Sequence, residues 1–226
     1  MKLALAIDTT SEHGSIALAD ESGVREETPL HAPEGFSRLL FGEIQALLNR
    51  QRVALEEIDI YAGASGPGSF TGVRVGLTAI KGLAEVKGKK VVAVSNLRAL
   101  AAFGKSKTRA VIIDAKRGEI YGAVYNAEGE EIVKEQVLPL NTFLTLLPPG
   151  PIEWISEGLG MYAPPGSTIY EAPKEIAGAI ARIALRSQGK DSAAIEANYV
   201  RRSDAEIFWK EACWPLEARV ITPEGK

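Results

Sequence analysis

The sequence predicts a two-lobed α/β protein in which each lobe carries a mixed sheet flanked by helices. Three observations carry that expectation: short apolar runs bounded by turn residues, longer segments with helical spacing between them, and a second half that restates the element order of the first. The chain has 226 residues, which is above the common single-domain size of roughly 100–150 and enough for two lobes of about 110 each.

Residues 3–7 form a short apolar run suited to a buried strand, and residues 14–19 follow after a polar turn, so the opening reads as a β-hairpin. A weaker strand covers residues 24–29. Phe36, Leu39, Leu40, Ile44, Leu47 and Leu48 then recur at helical spacing, placing a helix over residues 37–50. A strand at 58–64 leads into a glycine-rich loop at 66–72, a helix at 73–86 and a strand at 90–94. A short helix at 97–103 ends at Gly104, and the polar connector 105–108 divides a lobe 1–104 from a lobe 105–226. The second half begins again with strands at 110–114, 119–126 and 131–137 and a helix at 141–147. Strands at 152–156 and 168–171 follow, then an amphipathic helix at 174–187 and a last helix at 203–214, whose tail is able to pack back on the first lobe. Three strands, helix, strand, helix, stated twice, is the organisation of the actin-like (ASKHA, ribonuclease H-like) fold. A simple dinucleotide-binding domain would instead alternate strand and helix from the start.

Composition narrows the function. Apolar residues make up 46% and charged residues 24%, the balance of an ordinary folded protein. A formal net charge of −3 lacks the footprint of a chain that grips many phosphates alone, and the basic group 87–90 has no interleaved aromatic residue for base stacking. Any RNA is therefore expected to be held by another subunit. Cys213 is the only cysteine, which excludes an internal disulfide and suits a reducing compartment. The N-terminal apolar run is too short for a signal peptide or a membrane span, so a cytoplasmic, membrane-free protein is expected.

Two motifs carry chemistry. Asp8-Thr9-Thr10-Ser11 lies at the hairpin turn, where hydroxyls and turn amides could cradle a phosphate while the carboxylate orients a hydrated magnesium ion. Asp, Thr and Ser are equally ordinary turn residues that bond their own backbone. Gly66-Pro67-Gly68-Ser69-Phe70-Thr71-Gly72 is more specific: three glycines permit unusual torsions, and the helix that follows offers free amides. Val73 and Arg74 follow Gly72 where a Walker A loop needs lysine and a hydroxyl. The next strand ends in Ser95-Asn96 rather than in the acid of a dinucleotide site. Along the helix, Gly72, Gly76 and Ala79 make a small face, suited either to this chain's own sheet or to another subunit. His13 and His31 form no H-x-x-x-H pair, no G-x-S-x-G elbow occurs, and no catalytic acid, base, nucleophile or metal ligand can be nominated.

Four segments together, AIDTTSEHGSIAL, SGPGSFTGVRVGLTAIKGLA, DAKRGEIYGAVY and NYVRRSDAE, resemble the TsaB (YeaZ) family and span nearly the whole chain. The resemblance implies an actin-like paralogue of the transferase subunit TsaD without a competent active site. Such a subunit is needed for the threonylcarbamoyl modification of the adenosine 3′ of the anticodon in ANN-decoding tRNAs. It implies a heterodimer with a TsaD-like subunit, an accessory TsaE-like ATPase, and tRNA contacted only through the complex. No cofactor is expected on the chain alone, and a nucleotide at the subunit junction is compatible with the resemblance. The family's pairing helices fall on residues 37–50 and 72–86, making Leu40, Ile44, Gly72, Val75, Gly76, Leu77, Ala79 and Ile80 the interface candidates. The remaining phosphate-loop candidates are Asp8, Thr9, Thr10, Gly66 and Gly68. An unpaired apolar face favours a homodimer when the partner is absent. The rival readings are an ATP-dependent phosphotransferase built on Asp8, Thr9 and Thr10, and a peptidase, for which the sequence offers no nucleophile.

Overall fold

The computed structural model describes residues 1–157, 167 and 169–200. The expected helix at 203–214 and Cys213 lie outside the described residues.

The first sheet is built from β1 (Leu3–Asp8), β2 (His13–Asp20), β3 (Gly23–His31), β4 (Ile60–Ala64) and β5 (Lys90–Val94), in the order β3-β2-β1-β4-β5. β1 pairs antiparallel with β2 and parallel with β4, so hairpins and a helical crossover share one sheet. The second sheet uses β6 (Thr108–Lys116), β7 (Glu119–Asn126), β8 (Glu131–Pro139), β9 (Glu153–Ser156) and β10 (Ile169–Glu171) in the order β10-β9-β6-β7-β8. Again the first strand pairs antiparallel with the second and parallel with the fourth. The repeat expected from element order is therefore present strand for strand.

β1 is buried throughout, and its alternation sorts the helices. Leu3, Leu5 and Ile7 face α1 (Leu40–Gln51) and α2 (Phe70–Lys87); Ala4 and Ala6 belong to the cluster holding α3 (Asn96–Ala101) and α5 (Ala177–Leu185). The small alanines of β1 and β2 let α5, itself rich in alanine, approach the sheet closely. A small helix, α4 (Leu140–Leu144), lies on the far face of the second sheet, where Phe143 packs edge-on against Trp154.

Packing crosses the midpoint of the chain in both directions. α3, from the first half, packs on β6 and β7, whereas α5, from the second half, packs on β1, β2 and β4. The α5 N-terminus is fixed to the first sheet by side chains: Ala177 N donates to Ser15 Oγ at 3.0 Å and Gly178 N to Glu27 Oε1 at 2.9 Å. These bonds satisfy amides that a helix start leaves free and set a carboxylate against the positive end of its dipole.

The sequence places α2 from residue 73, and it starts three residues earlier because Ser69 caps it, its Oγ accepting from Gly72 N at 3.3 Å. Helix one is split into a 3₁₀ turn at Phe36–Arg38 and α1 proper, which ends at Arg52 in the left-handed region. No helix or strand pattern foretells the strap 192–200, which crosses α2. There Lys81 Nζ donates to Ile195 O at 3.0 Å and Asn198 N to Ser65 O at 2.8 Å. Among the described residues, no helix is long and apolar enough to cross a membrane.

Candidate functional site

Three loops meet at the C-terminal ends of β1, β4 and β5, the position where open α/β sheets hold ligands. They carry Asp8, Thr9 and Thr10, then Gly66 to Ser69, then Ser95 and Asn96. Asp8 is buried; its Oδ1 accepts from Thr10 N at 2.9 Å and from Thr10 Oγ1 at 2.6 Å. Asn96 Nδ2 donates to Thr10 Oγ1 at 2.6 Å, and its Oδ1 accepts from Gly66 N at 3.1 Å. Thr9 Oγ1 donates to Gly72 O at 2.7 Å, and Ser69 N donates to Thr10 O at 2.7 Å. The loop therefore spends its hydroxyl protons inside the protein, stitching the three strand ends together rather than presenting them to an anion.

Burial pushes the Asp8 carboxyl up to about 6; the Thr10 hydrogen bonds oppose that and the charge of Glu27 adds to it. Glu157, at the end of β9, is also raised, by burial first and then by the Asp8 charge. The two strand ends thus face each other with acidic groups across the space between the sheets, with Lys174 as a counter-charge to Glu157. Among the described residues, no group of three metal-ligating side chains converges anywhere.

The glycine loop supports this stitching. A Cβ on Gly72 would lie 1.9 Å from the Thr9 carbonyl oxygen, one on Gly76 2.6 Å from Thr9 Oγ1, and one on Gly68 2.7 Å from Thr10 O. Gly66 has φ +99°, where a side chain is strained, and sits beside Asn198 of the strap.

This placement corrects the interface expected on α2. Gly72 and Gly76 face inward because β1 passes directly beneath them. Leu77 and Ile80 meet Gly63 of β4, and Ile44 is buried in the same core, so these five are packing residues of this chain. Leu40 and Ala79 are themselves buried and form the floor of a surface groove, and Val75 is half-buried beside them. This apolar groove of about 620 Å³ lies between α1 and α2 and is lined also by Phe41, Leu83 and Val86. Phe41 is 56% and Val86 81% exposed, which is uncommon for side chains of that size clustered on one face. On α2 the groove residues 75, 78, 79, 82 and 86 repeat at helical spacing, and a Cβ on Gly82 would meet nothing within 4 Å.

The sequence reasoning missed Phe41 on α1 and Gly82 and Val86 on α2; the latter two share helical spacing with Val75, but in a helix that is apolar or small on both faces that spacing does not say which face is outward. At the head of the groove Arg74 lies 3.6 Å over the Phe70 ring and donates through Nε to Tyr199 Oη at 3.1 Å. The strap residue in that cluster is 125 positions away along the chain, and no local signal marks it.

The family described as TsaD, tRNA N6-adenosine threonylcarbamoyltransferase, matches residues 18–207. The tRNA threonylcarbamoyladenosine biosynthesis protein TsaB of Bacillus subtilis (strain 168) is 29% identical, covering 92% of this chain and 98% of its own. The protein of the same name from Escherichia coli (strain K12) is 34% identical over 71% of this chain and 73% of its own. The solved structure of YeaZ from Pseudomonas aeruginosa superposes with a TM-score of 0.74 at 28% identity, covering 88% of this chain and all of that one. The two-lobed architecture is actin-like, as the doubled element order predicts.

Proposed function

Since this chain belongs to the TsaB family of tRNA threonylcarbamoyladenosine biosynthesis proteins, we propose that it serves that modification as a non-catalytic scaffold. In this reading it pairs with a TsaD-like transferase subunit through the groove between α1 and α2. The observation that carries the reading is the groove itself, an apolar surface with Phe41 and Val86 exposed and with Arg74 and Lys87 among its lining residues. Burying one such side chain against a partner contributes about 1.5–3 kcal/mol, so a few of them supply the core of a stable interface. The inward hydrogen bonding of Thr9 and Thr10 supports the absence of a phosphotransfer role, since those hydroxyls would have to leave Gly72 and Asp8 to meet a nucleotide. The chain alone then holds no cofactor, and a TsaE-like ATPase acts on the pair. A free chain covers the same groove with a second copy. The setting is the cytoplasm, where the tRNA is.

Gly82→Leu tests the pairing, because its Cβ has no atom of the fold within 4 Å and the rest of its side chain projects into the groove. The variant should melt at or above the wild-type temperature, fail to co-purify with a co-expressed TsaD-like subunit, and lose formation of the modified adenosine. Retained co-purification at wild-type yield would defeat the interface. Calorimetry of the isolated chain with Mg-ATP separates the rival enzyme: no saturable heat is expected, and micromolar binding with turnover would favour a phosphotransferase.

A further inference from the structure

A second concavity, of about 400 Å³, lies on the other side of the first sheet from the α1–α2 groove. Its walls come from α3, the connector into β6, the β7–β8 turn and the outer half of α5, and they hold Arg98, Arg109, Arg182 and Arg186 against one carboxylate, Glu128. Arg109 is committed to the fold: its Nε donates to Ser106 O at 2.8 Å and its Nη1 to Ala101 O at 3.2 Å, satisfying a carbonyl at the end of α3. Arg98, Arg182 and Arg186 are exposed, and among the described residues no ion pair or side-chain hydrogen bond holds their guanidinium groups.

Arg25, Arg50, Lys87, Lys89, Lys90 and Lys116 face carboxylates, whereas exposed Arg38, Arg52 and Lys134 have no ion pair among the described residues but sit apart, on the 3₁₀ turn, at the end of α1 and on β8; the concavity differs in gathering several such side chains in one place. Helix dipoles account for Arg182 and Arg186 near the end of α5 taken singly. Arg98 lies likewise in the last turn of α3, so the dipoles explain each side chain taken singly but not the opening of two separate helix ends, with their arginines, into one concavity. Like charges gathered with a single carboxylate among them still repel, and an anion relieves the repulsion.

We infer that this arginine-lined concavity binds phosphodiester groups of a structured RNA, giving the chain its own contact with the tRNA that its partner modifies. Planar guanidinium forks suit bidentate pairing with phosphate oxygens better than lysines do. Among the described residues no aromatic side chain lines the concavity, so it has no platform for a base there and reads backbone rather than sequence. The same lack counts against a free nucleotide, which would leave its base unheld. α5 lies on the Ala4 and Ala6 face of the first sheet and the groove on the Leu5 and Ile7 face, so partner and RNA can be held together. The inference rests on the scaffold reading for the identity of the RNA, and it revises the expectation that tRNA is met only through other subunits.

The test is fluorescence anisotropy of a labelled, unmodified ANN-decoding tRNA with the full chain, free and paired with its TsaD-like subunit, over a salt series. Three phosphate contacts predict a roughly 20- to 40-fold fall in the free chain's affinity between 50 and 200 mM salt. R98A/R182A/R186A should reduce the salt slope by about 2 to 3 and weaken binding at low salt at least tenfold. R98K/R182K/R186K should keep most of the slope. Unchanged affinity and slope in the alanine variant would overturn the site, as would saturable ADP binding that depends on the three arginines while tRNA binding does not. The alanine variant should still co-purify with the partner, whereas Gly82→Leu should lose the partner and keep the free chain's salt slope. Failure of the pairing and failure of the RNA site are thereby separated.

Discussion

The two faces of α2 use the same kind of residue for opposite purposes. On the inner face, Gly72 and Gly76 exist because a strand end occupies the space a side chain would need, with Thr9 atoms 1.9 and 2.6 Å from the added Cβ positions. On the outer face, Gly82 opens onto the α1–α2 groove with nothing within 4 Å. A glycine is therefore evidence of close approach only when the atom that approaches is identified. One face is closed by the fold, and the other is open.

The largest expected effect breaks the inner face. Gly72→Ala sets a methyl group against the Thr9 carbonyl, which cannot retreat without disturbing the bonds that Thr9 and Thr10 make to the glycine loop. A loss of about 3 kcal/mol or more is expected from overpacking of backbone against backbone, read as a lowered urea midpoint. A variant as stable as wild type would mean that β1 and α2 are not in contact at this point.

The next effect concerns the charge buried beside that junction. Asp8 titrates near 3.8 when unfolded and near 6 when folded, so between these values the folded state binds more protons than the unfolded one. Stability owed to this group is therefore present below pH 4, falls as pH rises through 6, and then levels off. A raise of about two units corresponds to roughly 2–3 kcal/mol. Asp8→Asn keeps an oxygen for Thr10 and removes the ionisation, so urea midpoints should lose this component of their fall between pH 4 and 6.5. An identical pH profile in the variant would show that Asp8 is not desolvated as the closed inner face requires.

Much of this was legible in the sequence, and the parts that were not share a physical cause. Strand alternation in β1 and helical spacing in α1 report burial on one side, which a single segment can reveal. In α2 almost every position is apolar or small, since one face meets the sheet and the other forms the groove, and periodicity cannot tell two apolar faces apart. That is why Gly72, Gly76, Leu77 and Ile80 read as interface candidates while Gly82 and Val86 went unseen. The phosphate-loop residues were found because they are neighbours in sequence. Asn96, which completes their network, lies 86 positions from Thr10. The arginine concavity draws on positions 98, 109, 182 and 186, and a net charge of −3 averages such a cluster away.

The smallest expected effect tests the outer face by making the change that the inner face cannot tolerate. Gly82→Ala adds a methyl group in open space within an 18-residue helix, so nothing opposes the gain in helix propensity. Alanine in a helix interior is favoured over glycine by about 1 kcal/mol, equivalent to a melting temperature about 2–4 °C higher for a chain of this size. The same substitution should thus stabilise at residue 82 and destabilise at residue 72, on one helix, ten residues apart. Equal signs at both positions in parallel thermal melts would mean that the faces do not differ as their glycines indicate. A gain at residue 82 alone would establish that its glycine is kept for something outside the fold, because helix stability by itself favours alanine there.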